Sequence, residues 1–218
     1  MISPDTSIAA GARLAARLAT PADGDALSAT LTRAFLDDPL IAYFFPDSAT
    51  REPRLRRMFK LIFEMGEPFG ACHVTPNYEA AILWRPPNQF RIPYWQYLTN
   101  GPELLGIFGT NAWNVALAMN QIESAHPKPP SWYLQAVGTD PERQGKGFGG
   151  RVIRHHLAAA DAQGDACYLE SSKRSNIPIY ERLGFVVTGE LVIPARGKSA
   201  EVTIWPMWRD PKPVTESP

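Results

Sequence analysis

The stretch 143-RQGKGFGG-150 holds four glycines within six residues, Gly145, Gly147, Gly149 and Gly150. Glycine buries no side chain and costs backbone entropy on folding, so such a run marks a place where something comes close to the backbone or where the chain turns tightly. Gly145, Gly147 and Gly150 spell G-x-G-x-x-G, and Glu170 stands about twenty residues further on, as a dinucleotide fold would have it. That fold, however, places its glycines directly after the first strand of a long series of crossovers. Here a polar stretch containing Pro141 intervenes, and fewer than fifty residues follow Glu170. A nucleoside-triphosphate loop fails sooner, because Gly147 follows Lys146 where a magnesium-binding Ser or Thr should stand.

An anion site at a helix start fits better. Residues 147–164 place Val152, Leu157 and Ala160 inward and end at Gly164, a suitable C-cap, so the unpaired N–H groups of the first turn begin at the glycines. A pyrophosphate could touch the backbone there, with Arg143, Lys146 and Arg151 reaching outlying phosphates. A helix of this length spans about 25 Å. The apolar strand expected over 131–137 spans about 23 Å, so the two can lie side by side.

Around this unit the pattern predicts a first strand over 12–19, a helix over 25–38 opened by Thr20-Pro21, and a second helix over 52–67 with Leu55, Met58, Phe59, Ile62 and Phe63 on one face. Its basic run reads as a solvated face. Residues 70–77 and 79–87 read as an antiparallel strand pair. Residues 88–125 are long, aromatic and mostly helical in pattern, an insertion with Tyr94, Trp95, Tyr97, Phe108 and Trp113 that either walls a pocket or caps the core. From residue 131 the order is strand, glycine loop, helix, strand, helix and strand, closing with 200–210. One domain over 12–210 is expected, with a loose leader at 1–11 and a polar tail at 211–218.

Composition narrows the function. Acidic and basic residues balance at 22 each, so no global field favours nucleic acid or an anionic bilayer, and neither is expected as a partner. No apolar run approaches the length of a membrane span. Cys72 and Cys167 stand apart in apolar contexts without zinc-ligand spacing, which points to no metal and to a reduced, cytoplasmic setting.

The residues also resemble a known family, the GNAT acyl-CoA N-acyltransferases. Gln144, Gly147 and Gly149 satisfy its Q/R-x-x-G-x-G/A motif, after a strand ending in "AVGTDP", and 175-SNIPIYERLGF-185 is similar to its later helix and strand. The likeness extends over "WYLQAVGTDPERQGKGFG", "YLESS" and "WPMWR" to the puromycin N-acetyltransferase-like members. It implies an α/β sandwich with a mixed sheet of about six or seven strands, splayed at its middle and flanked by helices. It also implies acetyl-CoA as cosubstrate and direct transfer to a primary amine, here of a small molecule such as an antibiotic or other xenobiotic, by a monomer or homodimer; the alternatives are an acyl-CoA-binding module of the same fold that transfers nothing and a protein or peptide N-acetyltransferase.

Transfer from a thioester to an amine needs a neutral amine, a stabilised oxyanion and a proton for the departing thiolate. By resemblance, Val137, Gly138 and Thr139 pair with the pantetheine arm and the Val137 N–H serves as oxyanion donor, although Gly138 could equally mark a bulge. Gln144, Gly145, Lys146, Gly147, Phe148, Gly149 and Gly150 would hold the pyrophosphate. Tyr180 takes the place of the general acid, or packs as a core tyrosine beside Leu183 and Phe185. Asn176 would contact CoA, or simply cap a helix. Glu170, at the end of an apolar strand, is the candidate base, directly or through water, or equally a capping or salt-bridging glutamate. His126 reads as a loop histidine among prolines, and Asp37 and Asp38 as residues that close a helix more than as a lure for a cationic amine.

Overall fold

The structure, a computed structural model, describes residues 16–91 and 99–213. The expected leader at 1–11, the aromatic residues Tyr94, Trp95 and Tyr97, and residues 214–218 of the expected tail lie outside them. In chain order the elements are β1 (Arg17–Leu18), α1 (Gly24–Phe35), α2 (Pro39–Phe44), α3 (Ser48–Gly66), β2 (Cys72–Val74), β3 (Ala80–Arg85), α4 (Gly101–Phe108) and α5 (Ala112–Ser124). There follow β4 (Trp132–Thr139), α6 (Phe148–Gln163), β5 (Cys167–Ser171), α7 (Ile177–Glu181), β6 (Val186–Val187), β7 (Leu191–Ile193) and β8 (Val202–Arg209).

Eight strands form the sheet, in the order β1-β2-β3-β4-β5-β8-β6 with β7 pairing on β8, somewhat more than the six or seven expected. Two of them, β1 and β6, are only two residues long. The pair β4 and β5 is parallel and its neighbours pair antiparallel, which is the mixed sheet the sequence implies. The parallel pair requires a crossover, and α6 supplies it, released by Gly164 in the left-handed region at φ +73°.

Each face of the sheet carries its own core. Leu27 and Leu31 of α1 pack with Leu55, Phe59 and Phe63 of α3 and with Ile122 of α5 on one face. Val152, Ile153 and Leu157 of α6 pack with Trp84, Leu134, Leu169 and Phe185 on the other. The basic face of α3 is solvated as expected, and two of its charges fasten neighbours: Arg57 to Glu103 at 3.0 Å and Lys60 to Asp25 at 2.8 Å. Phe108 stacks on Phe45 with ring centres 5.4 Å apart, a core role. Trp113 is 72% exposed, so it neither walls a pocket nor caps the core.

The elbow at Asp38 differs from expectation. Asp38 does not close α1; it opens α2, its Oδ1 accepting from the N–H groups of Leu40 at 2.9 Å and Ile41 at 3.3 Å. An aspartate before a proline is a strong N-cap because proline at the first helical position gives up no hydrogen bond.

Candidate active site

The site is a fork in the sheet. Strand β4 pairs with β5 only through Trp132, Tyr133 and Leu134, while its other edge stays paired to β3 as far as Thr139. From Gln135 to Thr139, among the described residues, the β5-side edge of β4 carries no strand. A bulge helps to part the strands: Leu83 faces Ala136 and Trp84 faces Leu134, leaving Gln135 as the extra residue. The bulge is therefore at Gln135, not at Gly138 as the sequence allowed. Gly138 has another reason to be glycine. A Cβ there would lie 2.7 Å from Ala34 Cβ and 3.0 Å from Leu31 of α1, so helix and strand pack in direct contact.

At the upper end of the free edge lies the glycine loop. Asp140 starts its first turn by accepting from the Glu142 N–H at 3.1 Å, and Arg33 holds that carboxylate at 2.6 Å. Gln144 donates to the Thr139 carbonyl at 3.2 Å and Lys146 to the Glu142 carbonyl at 3.1 Å. Gly145 and Gly147 adopt φ +74° and +82°, and nothing lies within 4 Å of where their Cβ atoms would be. Gly147 is the N-cap of α6, so the first-turn N–H groups of Phe148, Gly149 and Gly150 open onto this cradle. Gly149 answers to a different constraint, since a Cβ there would sit 2.8 Å from Thr139 Oγ1, inside the contact between α6 and the end of β4. A phosphate-bearing group fits such a cradle: backbone donors, a helix N-terminus and no side chain in the way.

The lower end of the fork is lined by side chains from elements far apart in sequence. Ser172, just past β5, donates to Asp38 Oδ2 at 2.6 Å and ties the α1–α2 elbow to the fork. With both oxygens engaged, and only 5% exposed, Asp38 is not an open lure for an amine. Tyr180, on α7, meets Phe185 edge-on at 6.2 Å. Burial, then the Asp38 charge, push its phenol up to about 12, so it stays protonated and can serve as a donor. Asn176 precedes α7 but makes no side-chain cap bond, so the capping explanation for it fails.

Glu170 stands one residue past the last β4–β5 pair, at the crotch of the fork, with its side chain 8% exposed. It faces His126, which lies in the loop its prolines suggested but turns its side chain inward: it is 5% exposed, with Nδ1 3.2 Å from Glu170 Oε1. Phe90 stacks flat on the imidazole at 4.0 Å, and Tyr133 and Tyr168 meet it edge-on at 4.6 and 4.5 Å. Burial and the Glu170 charge raise both phenols above their ordinary value. This group was missed in the sequence. Its only signal was an alternation, Tyr133 with Gln135 on one strand and Tyr168 with Glu170 on the other, that puts polar and aromatic residues on a shared face.

Three more histidines cluster on the opposite face, His73, His155 and His156, with His156 stacked on Trp84 at 4.4 Å. Among the described residues no set of three His, Cys, Asp or Glu side chains is arranged to hold a metal ion.

Comparison with known proteins gives this architecture a family likeness. The profile of the acetyltransferase (GNAT) domain matches residues 112–187, from the start of α5 to the end of β6. An uncharacterised N-acetyltransferase of Schizosaccharomyces pombe is 29% identical over 220 residues, 94% of this chain and 85% of its own length. A crystal structure from Corynebacterium glutamicum, described as histone acetyltransferase HPA2 and related acetyltransferase, superposes with a TM-score of 0.66 at 28% identity, covering 92% of this chain and 97% of that one. The polyamine N-acetyltransferase of Drosophila melanogaster shares the fold, with a TM-score of 0.61 at 17% identity over 90% of this chain and 99% of that one. Residues 112–187 thus match a GNAT acetyltransferase domain, and the likeness over the rest of the chain supports an acetyl-transferring enzyme.

Proposed function

We propose that this enzyme transfers the acetyl group of acetyl-CoA to a primary amine of a small molecule, within a ternary complex. The observation that carries the reading is the free edge of β4, which joins the open glycine cradle at one end to Tyr180 and Glu170 at the other. The pyrophosphate rests on the first-turn N–H groups of α6, with Gly145 and Gly147 leaving room and Gln144 and Lys146 bracing the loop. The pantetheine arm lies along Val137, Gly138 and Thr139 as an added strand, and Asn176 supports it from the α7 side. The Val137 N–H faces the thioester oxygen, Glu170 receives the amine proton and Tyr180 donates to the departing thiolate.

Each role matches the local chemistry. A buried, protonated phenol is a competent donor at neutral pH, and a carboxylate at the crotch is placed to meet an amine entering between the strands. The acceptor is tested by incubating the purified protein with acetyl-CoA and a mixed panel of amines, including aminonucleosides of the puromycin type, aliphatic polyamines and basic peptides, and reading products by mass spectrometry. A mass gain of one acetyl group on a small amine is expected. Acetylation confined to the peptides would move the acceptor class, and thiol release from no member of the panel would leave only a CoA-binding module.

A further inference from the structure

In the cluster around Glu170, His126 Nδ1 meets Glu170 Oε1 at 3.2 Å, and His126 Nε2 is buried with no hydrogen-bond partner among the described residues. A buried polar group without a partner costs on the order of 1–3 kcal/mol, so an imidazole at this position needs a reason. Packing alone would be better served by a leucine or phenylalanine at position 126, against Phe90, Tyr133 and Tyr168. The imidazole instead brings Nδ1 to within 3.2 Å of the carboxylate.

We propose that His126 is the positioning and proton-relay residue for Glu170, fixing its carboxylate at the fork and carrying away the proton it receives from the acceptor amine. This rests on the acetyl-transfer reading above. An acceptor ammonium gives up two protons on becoming an amide. As the C–N bond forms and the C–S bond breaks, the sulfur keeps the electron pair and takes a proton from Tyr180. One of the two nitrogen protons restores Tyr180, and the other goes to Glu170. At 8% exposure Glu170 has poor access to water, so that proton needs a second acceptor.

The neighbours narrow the choice. The Tyr133 and Tyr168 phenols are raised by burial and by Glu170 itself, so they hold their protons. Glu123 and Arg85 also face Tyr133 electrostatically, but Arg85 is committed to Gln135 at 2.9 Å and to the Met65 carbonyl at 2.8 Å. Imidazole is the side chain suited to take and release a proton near neutral pH. Past His126 the chain continues into Lys128, Pro129 and Pro130, which are exposed.

Two measurements decide it. His126→Phe keeps a flat ring against Phe90 and removes both nitrogens. Acetyl-CoA affinity should stay within about twofold, kcat should fall about 10- to 100-fold, and the pH profile of kcat/KM for the amine should change shape, because the two groups no longer act together. An unchanged kcat and pH profile in the folded variant would overturn the proposal. The second measurement needs no stable His126 variant: the ring nitrogen resonances of the four histidines are compared by NMR at one pH in the wild-type protein and in Glu170→Gln. Removing the carboxylate should displace the ring resonances of one histidine and spare the other three. No histidine shifting would mean the pair is uncoupled and would reject the relay. If the wild-type protein acetylates no amine, the acetyl-transfer reading fails, whereas the NMR result still reports on the pair.

Discussion

The two ends of the fork are built on opposite principles. The glycine loop works through backbone: its donors are peptide N–H groups, its glycines leave the space in front open, and its charged side chains sit outside. The Glu170–His126 cluster works through side chains, packed dry among Phe90, Tyr133 and Tyr168. A phosphate chain is recognised by fixed dipoles that tolerate water, whereas moving a proton requires few groups at controlled separation. Substitutions at the two ends should therefore fail in different ways.

The largest effect is expected at the reactive end. Tyr180→Phe keeps the ring against Phe185, so packing and acetyl-CoA affinity should barely change, while kcat falls by about 10²–10⁴ where chemistry limits turnover. Full kcat in this variant would return Tyr180 to the core. At the loop, Gly147→Val places a branched side chain at φ +82° in the cradle. Losing two charge-assisted contacts should weaken acetyl-CoA binding about 10²-fold or more, read by calorimetry. Strain at that φ costs about 1–2 kcal/mol as well, so the melting temperature is measured beside it.

A third glycine sharpens the contrast. Gly138→Ala forces a methyl against Ala34 and Leu31, and should cost about 1–3 kcal/mol of stability in denaturant titrations with little loss of affinity in the folded fraction. Comparable at its largest is the acid response of the opposite face. Burial, then His73 and His155, push His156 down to about 3, below its unfolded value near 6.5. The unfolded chain thus binds the extra proton, and stability should decline as pH falls from about 6.5 toward 3, by up to roughly 1.4 kcal/mol per pH unit. Unfolding titrations between pH 7 and 4.5, above the range of ordinary carboxylates, should register this decline, and His156→Leu should flatten it. Lys146→Ala should cost less than about fivefold in acetyl-CoA affinity, because an exposed charge is screened.

What could be read from the sequence follows the range of the interactions. The glycine cradle is local: spacing within eight residues sets the turn, the cap and the helix start, and all three are where the pattern put them. The proposed role of Tyr180 likewise comes from a local stretch, 175–185, and its likeness to the family. Even there, spacing did not separate glycines by purpose, since Gly138 and Gly149 answer to contacts with Ala34 and Thr139 that only the fold creates. The buried cluster draws on positions 90, 126, 133, 168 and 170, and no window of sequence joins them. His126 reads as a loop residue and is one, but that its imidazole is buried against Phe90, Tyr133 and Tyr168 depends on contacts that only the fold creates. Asp38 was read as the end of one helix when it caps the next and reaches Ser172, 134 positions away.

The division of labour within the fork is tested most directly by measuring acetyl-CoA affinity and turnover together in Gly147→Val and Glu170→Gln. The account predicts that Gly147→Val loses affinity but recovers much of its kcat at saturating acetyl-CoA, and that Glu170→Gln binds acetyl-CoA like the wild type while its kcat collapses. If both variants lose affinity and turnover in parallel, the glycine loop and the buried cluster do not divide binding from chemistry, and the account is contradicted.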